Sequence, residues 1–404
     1  MSKMMAFETA TRTIGECFPY IKNGANIKQD KEGDGIPITR IETISGGTFH
    51  RNRMGYANIH DAEKYQNWIL HDGDILMSHI NSIPNMGRTV EYKAEEGETI
   101  IHGMNLLALR ADRTIVIPGY ADIYFNSTIF RNYVFHITKK AVNQASFSIK
   151  DLKTLPIPLP SLETQRIIAQ QFTQINTLHR ALLQKIDCLD TATKSRFVEM
   201  FGDPIRRPKW PTKSLRRLCT KLGSGATPRG GKAAYKEQGI PLVRSMNVHN
   251  GRFVRDDLAY IDSDQAEKLR NVTLEKADVL LNITGASVAR SCVLPDELEG
   301  GRVNQHVAII RANKNELLPC VLNTALINDS YQQYLLDGAR MSGATREAIT
   351  KQDLENMHVP VPPIALQQEF AAFVSQVDKL RFATQQQIDK LEMLKKSLLQ
   401  EYFN

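Results

Sequence analysis

Apolar residues along this chain follow two kinds of pattern, and each kind occurs twice. At Ile168, Phe172, Ile175, Leu178, Leu182, Ile186 and Leu189 the steps are three or four residues. Val374, Val377, Leu380, Ile388, Leu391, Leu394 and Leu398 form a comparable stripe, with Gln and Lys on the other faces. Such spacing predicts helices with one apolar side. Neither stripe can stay in water, so the two helices are expected to pair as an antiparallel coiled coil. Its seam is assigned to Phe172, Ile175, Leu178, Leu182, Ile186 and Leu189 on one helix and to Val374, Val377, Leu380, Ile388 and Leu391 on the other. Proline-rich IPLPS and VPVPP precede the helices, Ser161 is a candidate N-cap, and Gly202-Asp203-Pro204 is a candidate stop. Each helix then has about 37 residues and spans roughly 55 Å at 1.5 Å per residue.

The second pattern is the short, almost wholly apolar run: DILMSHI, NLLALR, DVLLNIT and HVAIIR. These alternate with helical patches and polar loops, which predicts an α+β fold with two α/β heads. The expected divisions are a head at 1–150, a helix segment at 151–204, a head at 205–352 and a helix segment at 353–404.

The chain also matches itself. At an offset of 202, Asp151, Leu152, Pro158, Pro160, Gln165, Leu178, Ile186, Asp187, Leu189, Ser195 and Phe201 meet Asp353, Leu354, Pro360, Pro362, Gln367, Leu380, Ile388, Asp389, Leu391, Ser397 and Phe403. Roughly a third of the positions in this stretch coincide without a gap, which implies a pseudo-twofold internal repeat. Fainter echoes link IKNGA to LGSGA, Gly35-Ile36-Pro37 to Gly239-Ile240-Pro241, GDILMSHI to ADVLLNIT, and NLLALR to HVAIIR.

Composition narrows the partners. A chain of 404 residues with 42% hydrophobic content can bury two or three cores, and a net charge of +7 suits a polyanion without proving one. Five cysteines lie far apart with no CxxC pair, so neither a zinc ribbon nor a disulfide framework is indicated and a reducing cytoplasm is expected. The N-terminus lacks an apolar signal core and no run of eighteen apolar residues occurs, so secretion and membrane spanning are not expected.

Candidate DNA contacts follow from residue type. Between Ile205 and Lys236 stand ten basic residues, Arg229 and Lys232 among them, and no acidic one, as phosphate contact requires. The loop GGTFHRNRMGYANIH offers Arg51, Asn52, Arg53 and Asn58, side chains suited to the edges of guanine and adenine. His79 near the end of the first apolar run, and Asn81 and Arg88 after it, are further candidates. The second head offers Arg244, Asn247, Arg252, Arg290, Arg340 and Arg346. For each, an ordinary solvated loop is the plainer alternative.

Catalytic signatures are not found. GSGATPRGGKA lacks the P-loop glycine and the residue after its lysine is Ala233, PDELEGGR lacks a nuclease lysine, and the histidines show no i, i+4 pair. No metal site is expected.

With LPIPLPSLETQ and HVPVPPIALQQ each leading into a helix, the half-length duplication, and WPTKSLRRLCTKLGSGATP opening the second head, the whole chain resembles the specificity subunit of type I restriction-modification systems. That resemblance implies two target recognition domains, each reading one half of a bipartite double-stranded DNA sequence, with the paired helices fixing the spacer. It implies two methyltransferase subunits that bring S-adenosylmethionine and restriction subunits that bring ATP- and Mg2+-dependent translocation and cleavage, with no cofactor on this chain. A nuclease or methyltransferase fragment, and a coiled-coil adaptor without sequence preference, are the competing readings.

Overall fold

The computed structural model describes residues 9–140, 144–227, 231, 235–341 and 348–403. The chain divides into two compact units, residues 1–181 with 387–404, and residues 182–386. In chain order the first repeat supplies β1 (Ala10–Thr13), β2 (Tyr20–Asn23), β3 (Ile75–Ser78), β4 (Thr89–Glu91), β5 (Leu106–Arg110), α1 (Pro118–Phe125), α2 (Thr128–Ile137), β6 (Pro156–Leu159) and α3 (Leu162–Phe201). The second supplies β7 (Thr212–Ser214), β8 (Cys219–Ser224), β9 (Val279–Asn282), β10 (Ser291–Val293), β11 (Val307–Ala312), α4 (Pro319–Leu326), α5 (Asp329–Met341), β12 (His358–Pro360) and α6 (Ile364–Phe403).

The main sheet has the same topology in both units. Unit 1 holds an antiparallel sheet in the order β2-β5-β3-β4, and unit 2 one in the order β8-β11-β9-β10. The central strands are continuously apolar because both sheet faces are covered. Ile75, Met77, Leu107 and Leu109 join one core cluster and Leu76, Val90, Leu106 and Ala108 another. In unit 2, Val279, Leu281, Ala308 and Ile310 face one cluster, while Leu280, Cys292, Val307 and Ile309 face a second.

Three polar ties recur, the first two at equivalent places and the third with its tyrosine on a different helix in each unit. Asp74, 1% exposed, takes both guanidinium branches of Arg110 at 2.8 Å and the amide of His71 at 2.8 Å. Asp278, fully buried, does the same with Arg311 at 2.8 Å and the amide of Glu275 at 2.8 Å. A buried carboxylate survives desolvation only when its oxygens are matched in this way.

The second tie is a glutamine. Gln165 accepts the amide of Ile117 at 2.8 Å through Oε1, and its Nε2 donates to Ile115 O at 3.2 Å and Pro160 O at 2.9 Å. Gln367 accepts the amide of Leu318 at 2.8 Å and donates to Glu316 O and Pro362 O, both at 2.8 Å. Each amide thus binds the first turn of a long helix to the first turn of a short one.

The third tie caps the proline strands. β1 pairs with β6, matching Thr11 to Pro158 and Thr13 to Pro156. The outward carbonyls of those prolines accept Tyr120 Oη at 2.7 Å and Tyr124 Oη at 2.8 Å. In unit 2, β7 pairs with β12 and Tyr331 Oη donates to His358 O at 2.9 Å.

The long helices start and stop where the sequence places them. Ser161 Oγ accepts the amide of Thr164 at 3.2 Å. Gly202 has φ +80°, and a Cβ there would sit 2.3 Å from Arg207 O, so only glycine fits. Within unit 1, α3 runs antiparallel to the end of α6. Gln171 pairs with Tyr402 at 2.7 Å, Asn176 with Lys395 at 2.8 Å and His179 with Glu392 at 3.3 Å. Within unit 2 the start of α6 meets the end of α3 through Asp190 with Arg381 and Arg196 with Glu369 at 2.9 Å.

Each unit is sealed by a phenylalanine arriving at the end of a long helix. Phe403 lies 5.7 Å from Tyr120 and 5.4 Å from Tyr124. Phe201 and Phe197 lie 5.4 and 5.7 Å from Phe370.

Phe172, Ile175, Leu182, Val377, Ile388 and Leu391 are buried, and Ile186, Leu189 and Val374 partly so. Leu178 and Leu380 require correction: they are 51% and 50% exposed and lie off the seam. The ladder advances from Ile175 by four, to half-buried His179, and from Val377 by four, to half-buried Arg381. The leucines stand about 100° away around the helix.

Unit 1 also buries two histidines. Burial pushes both His79 and His102 down to about 4, and among the described residues His79 Nδ1 and His102 Nε2 have no hydrogen-bond partner. Asp122 is pushed up to about 6, chiefly by burial.

Two outcomes follow from this packing. Gln165→Ala and Gln367→Ala, which each orphan an amide and two carbonyls, are expected to lower unfolding free energy by roughly 3 kcal/mol; an unchanged denaturant midpoint in either would refute the tie. As pH falls from 6.5 toward 4, the unfolded chain takes up protons that buried His79 and His102 refuse, so each histidine withdraws up to about 3 kcal/mol of stability. Asp122 opposes this, because its burial cost is relieved between about 6 and 3.8, but it offsets only one histidine. No histidine of unit 2 is buried among the described residues. Hydrogen exchange should therefore show unit 1 opening before unit 2 on acidification.

Candidate nucleic-acid interface

The loop richest in base-reading side chains is built by two short turns, Ile41–Gly47 and Arg51–Arg53. Gly46 and Gly47 take φ +66° and +75° with open space around them. His50 is tied back through its ring to Ser45 O at 3.0 Å. Arg51 faces inward: its guanidinium meets Glu98 at 2.6 and 2.9 Å, Glu95 at 3.0 Å and Lys93 O at 2.9 Å, and it stacks on Phe49 at 5.4 Å. The Arg51 hydrogen bonds hold the Glu98 carboxyl at about 2, with Tyr92 Oη adding a bond at 2.7 Å. Arg51 is therefore a tie between loop and sheet, and the donors it would need for guanine are occupied.

Its neighbours differ. Asn52 is exposed and its side chain makes no hydrogen bond among the described residues, and the guanidinium of exposed Arg53 bonds among them only Ser45 Oγ, at 2.6 Å. Asn58, at φ +54°, accepts the amide of Asp34 at 3.1 Å and so ties its turn to the segment at Asp34.

After β3, His79 is buried against Phe147, with ring centroids 6.3 Å apart, and cannot reach a duplex from that position. Asn81 bridges Ser78 Oγ at 3.1 Å and the amide of Ser82 at 2.7 Å. Arg88 is half-buried. Beside it stands Arg131, a residue the sequence did not single out, whose Nη2 donates to Pro84 O at 2.6 Å. Arg131 is held below the usual arginine range first by burial and then by the like charge of Arg88.

In unit 2, Asn247 is fully buried: its Nδ2 donates to Val254 O at 3.0 Å and Asp256 O at 3.1 Å, and its Oδ1 accepts the amide of Arg244. It shapes the loop and does not face solvent. Arg244 stacks on Tyr235 at 5.2 Å and donates to Asp257 O. Arg252 is exposed on a short strand, Arg252–Phe253, and Arg290 is half-buried after β9. Arg340, on α5, lies 4.0 Å from Asp337. Arg229, Lys232 and Arg346 lie outside the described residues.

Among the described residues no group of three or more His, Cys, Asp or Glu is placed to hold a metal ion, and no helix is long and apolar enough to cross a membrane. Burial pushes the thiols of Cys17 and Cys320 up to about 11 and those of Cys219 and Cys292 up to about 12, far from a reactive thiolate.

Comparison with known proteins matches this duplicated architecture. The sequence model of the type I restriction modification DNA specificity domain fits residues 8–187 and again residues 208–393. A Methanocaldococcus jannaschii protein, provisionally named the type I restriction enzyme MjaX specificity subunit, is 28% identical over 402 residues, covering 96% of this chain and 91% of its own. The type I restriction enzyme EcoKI specificity subunit of Escherichia coli is 23% identical over 232 residues, 54% of this chain and 49% of its own. Among solved structures, the S subunit of a type I restriction-modification system from M. genitalium shares the fold at a TM-score of 0.60 and 14% identity, over 100% of this chain and 98% of its own. With one copy of the family domain in each repeat, the chain belongs to the type I restriction-modification specificity subunits.

Proposed function

We propose that this chain carries the DNA address of its complex and leaves the chemistry to other subunits. Each unit reads one half of a split target, and α3 with α6 sets the number of base pairs between the halves. Two methyltransferase subunits supply S-adenosylmethionine and methylate adenine, and restriction subunits supply ATP- and Mg2+-dependent translocation and cleavage. The observation that carries this reading is the division of labour within the repeat. Sheet, buried Asp–Arg pair and glutamine tie are common to both units, whereas the exposed loops, Asn52 and Arg53 in one and Arg252 in the other, differ. A common scaffold bearing unlike loops fits two readers of unlike sequences.

The test is the methylated motif. One heptad inserted into each helix where the compact units divide, between Ala181 and Leu182 and between Gln386 and Gln387, keeps the seam in phase and adds about 10.5 Å. At 3.4 Å per base pair, methylation with the partner subunit should keep both half-sites and widen the spacer by about three base pairs. An unchanged spacer would remove the ruler role, and DNA methylated by this chain alone would remove the division of labour.

Side chains in the first loop should separate by role. Arg51→Ala leaves Glu98 without its partner and is expected to lower the melting temperature of unit 1, by several degrees for about 1–2 kcal/mol. Asn52→Ala should leave melting unchanged while relaxing the base preference of one half-site. Equal effects of both on melting would argue against this split.

A further inference from the structure

The hairpin after β3 and its counterpart after β9 have diverged in length: Asn81 to Asn85 in unit 1 stand against Gly285 to Ser287 in unit 2. Backbone bonds nevertheless fix the alignment on both sides. Ser78 N donates to Arg88 O at 2.9 Å and Gly87 N to Ser78 O at 2.8 Å, while Asn282 N donates to Arg290 O and Ala289 N to Asn282 O, both at 2.8 Å. The residue before each arginine has the same left-handed backbone, φ +69° at Gly87 and +71° at Ala289. Unit 2 keeps this turn although an alanine there costs about 1 kcal/mol or more.

Between Gly73 and Tyr92 and their counterparts, three aligned residues are identical: Asp74 with Asp278, Leu76 with Leu280, and Arg88 with Arg290. The aspartates hold Arg110 and Arg311, and the leucines are fully buried in the sheet. No described residue of either unit pairs with the arginines. Both are half-buried, and neither guanidinium has an ion pair or hydrogen bond among the described residues. The charge beside Arg88 is another guanidinium, Arg131, so an anion is called for from outside.

Two heads that read different half-sites share no base, but every half-site offers the same phosphodiester backbone. We propose that Arg88 and Arg290 are sequence-independent phosphate anchors, one for each half-site, which set each unit's register on the duplex while the unlike loops read bases. This rests on the DNA-reading function proposed above.

Binding by the full chain with its methyltransferase partner, over a salt series, tests the anchors on four duplexes: the intact target, each half-site scrambled, and both scrambled. Arg88→Ala and Arg290→Ala should each weaken all four duplexes by the same factor and lower the slope of log affinity against log salt by about one. Arg88→Lys and Arg290→Lys should largely restore both on all four duplexes, because a phosphate needs chiefly a positive charge whereas a guanine edge is read better by the planar fork. Lost discrimination at one half-site with an unchanged slope would make the arginine a base reader. Failed assembly with the methyltransferase subunit at an unchanged slope would make it a protein contact, and no effect at all would also overturn the proposal. If the wild-type complex itself distinguishes none of the duplexes, the parent reading falls, a result that no anchor defect alone produces.

Discussion

The side-chain amide of a buried glutamine, Gln165 in one unit and Gln367 in the other, is where a head and a long helix become one body. Each amide satisfies one donor and two acceptors that the surrounding turns would otherwise leave bare. Because the three partners come from the start of a short helix and from a proline turn, the bond fixes a direction as well as a distance. The far end of the other helix then closes the same core with Phe403 or Phe201. A head thus depends on a helix that begins in its own repeat and on one that comes from the other repeat and ends in its own unit.

Much of this was legible in the sequence. The duplication, the helix limits at Ser161 and Gly202, and the apolar strands were set by patterns that physics reads one way. Helix phase was less secure: a step of three from Ile175 lands on Leu178 and a step of four on His179, and only packing decides that the less apolar residue takes the seam. Polar side chains were the least legible. Arg51, Asn58 and Asn247 have the composition of a DNA-reading loop, yet they make their bonds to Glu98, Asp34 and Val254 within the protein. Residue type states what a group can bind, not which partner the fold brings nearest.

Some signals were present but unread. Asp74 and Arg110 flank apolar runs whose echoes, Asp278 and Arg311, stand in matching places; the chain between them hid that they meet across the sheet. Arg88 and Arg290 were obscured by two extra residues in one hairpin. Internal comparison of two copies serves here as a natural experiment. Residues common to both copies that have an interior partner explain the fold, and those without one point outward.

The proline strand of unit 1 also bears on the fate of the chain before any DNA is met. Along its free side Pro156 and Pro158 have no amide hydrogen to offer, and their carbonyls are already held by Tyr124 and Tyr120. A stray extended segment from a neighbouring molecule would find neither donor nor vacant acceptor there, so this border of the ribbon cannot seed polymer growth while newly made copies are crowded together.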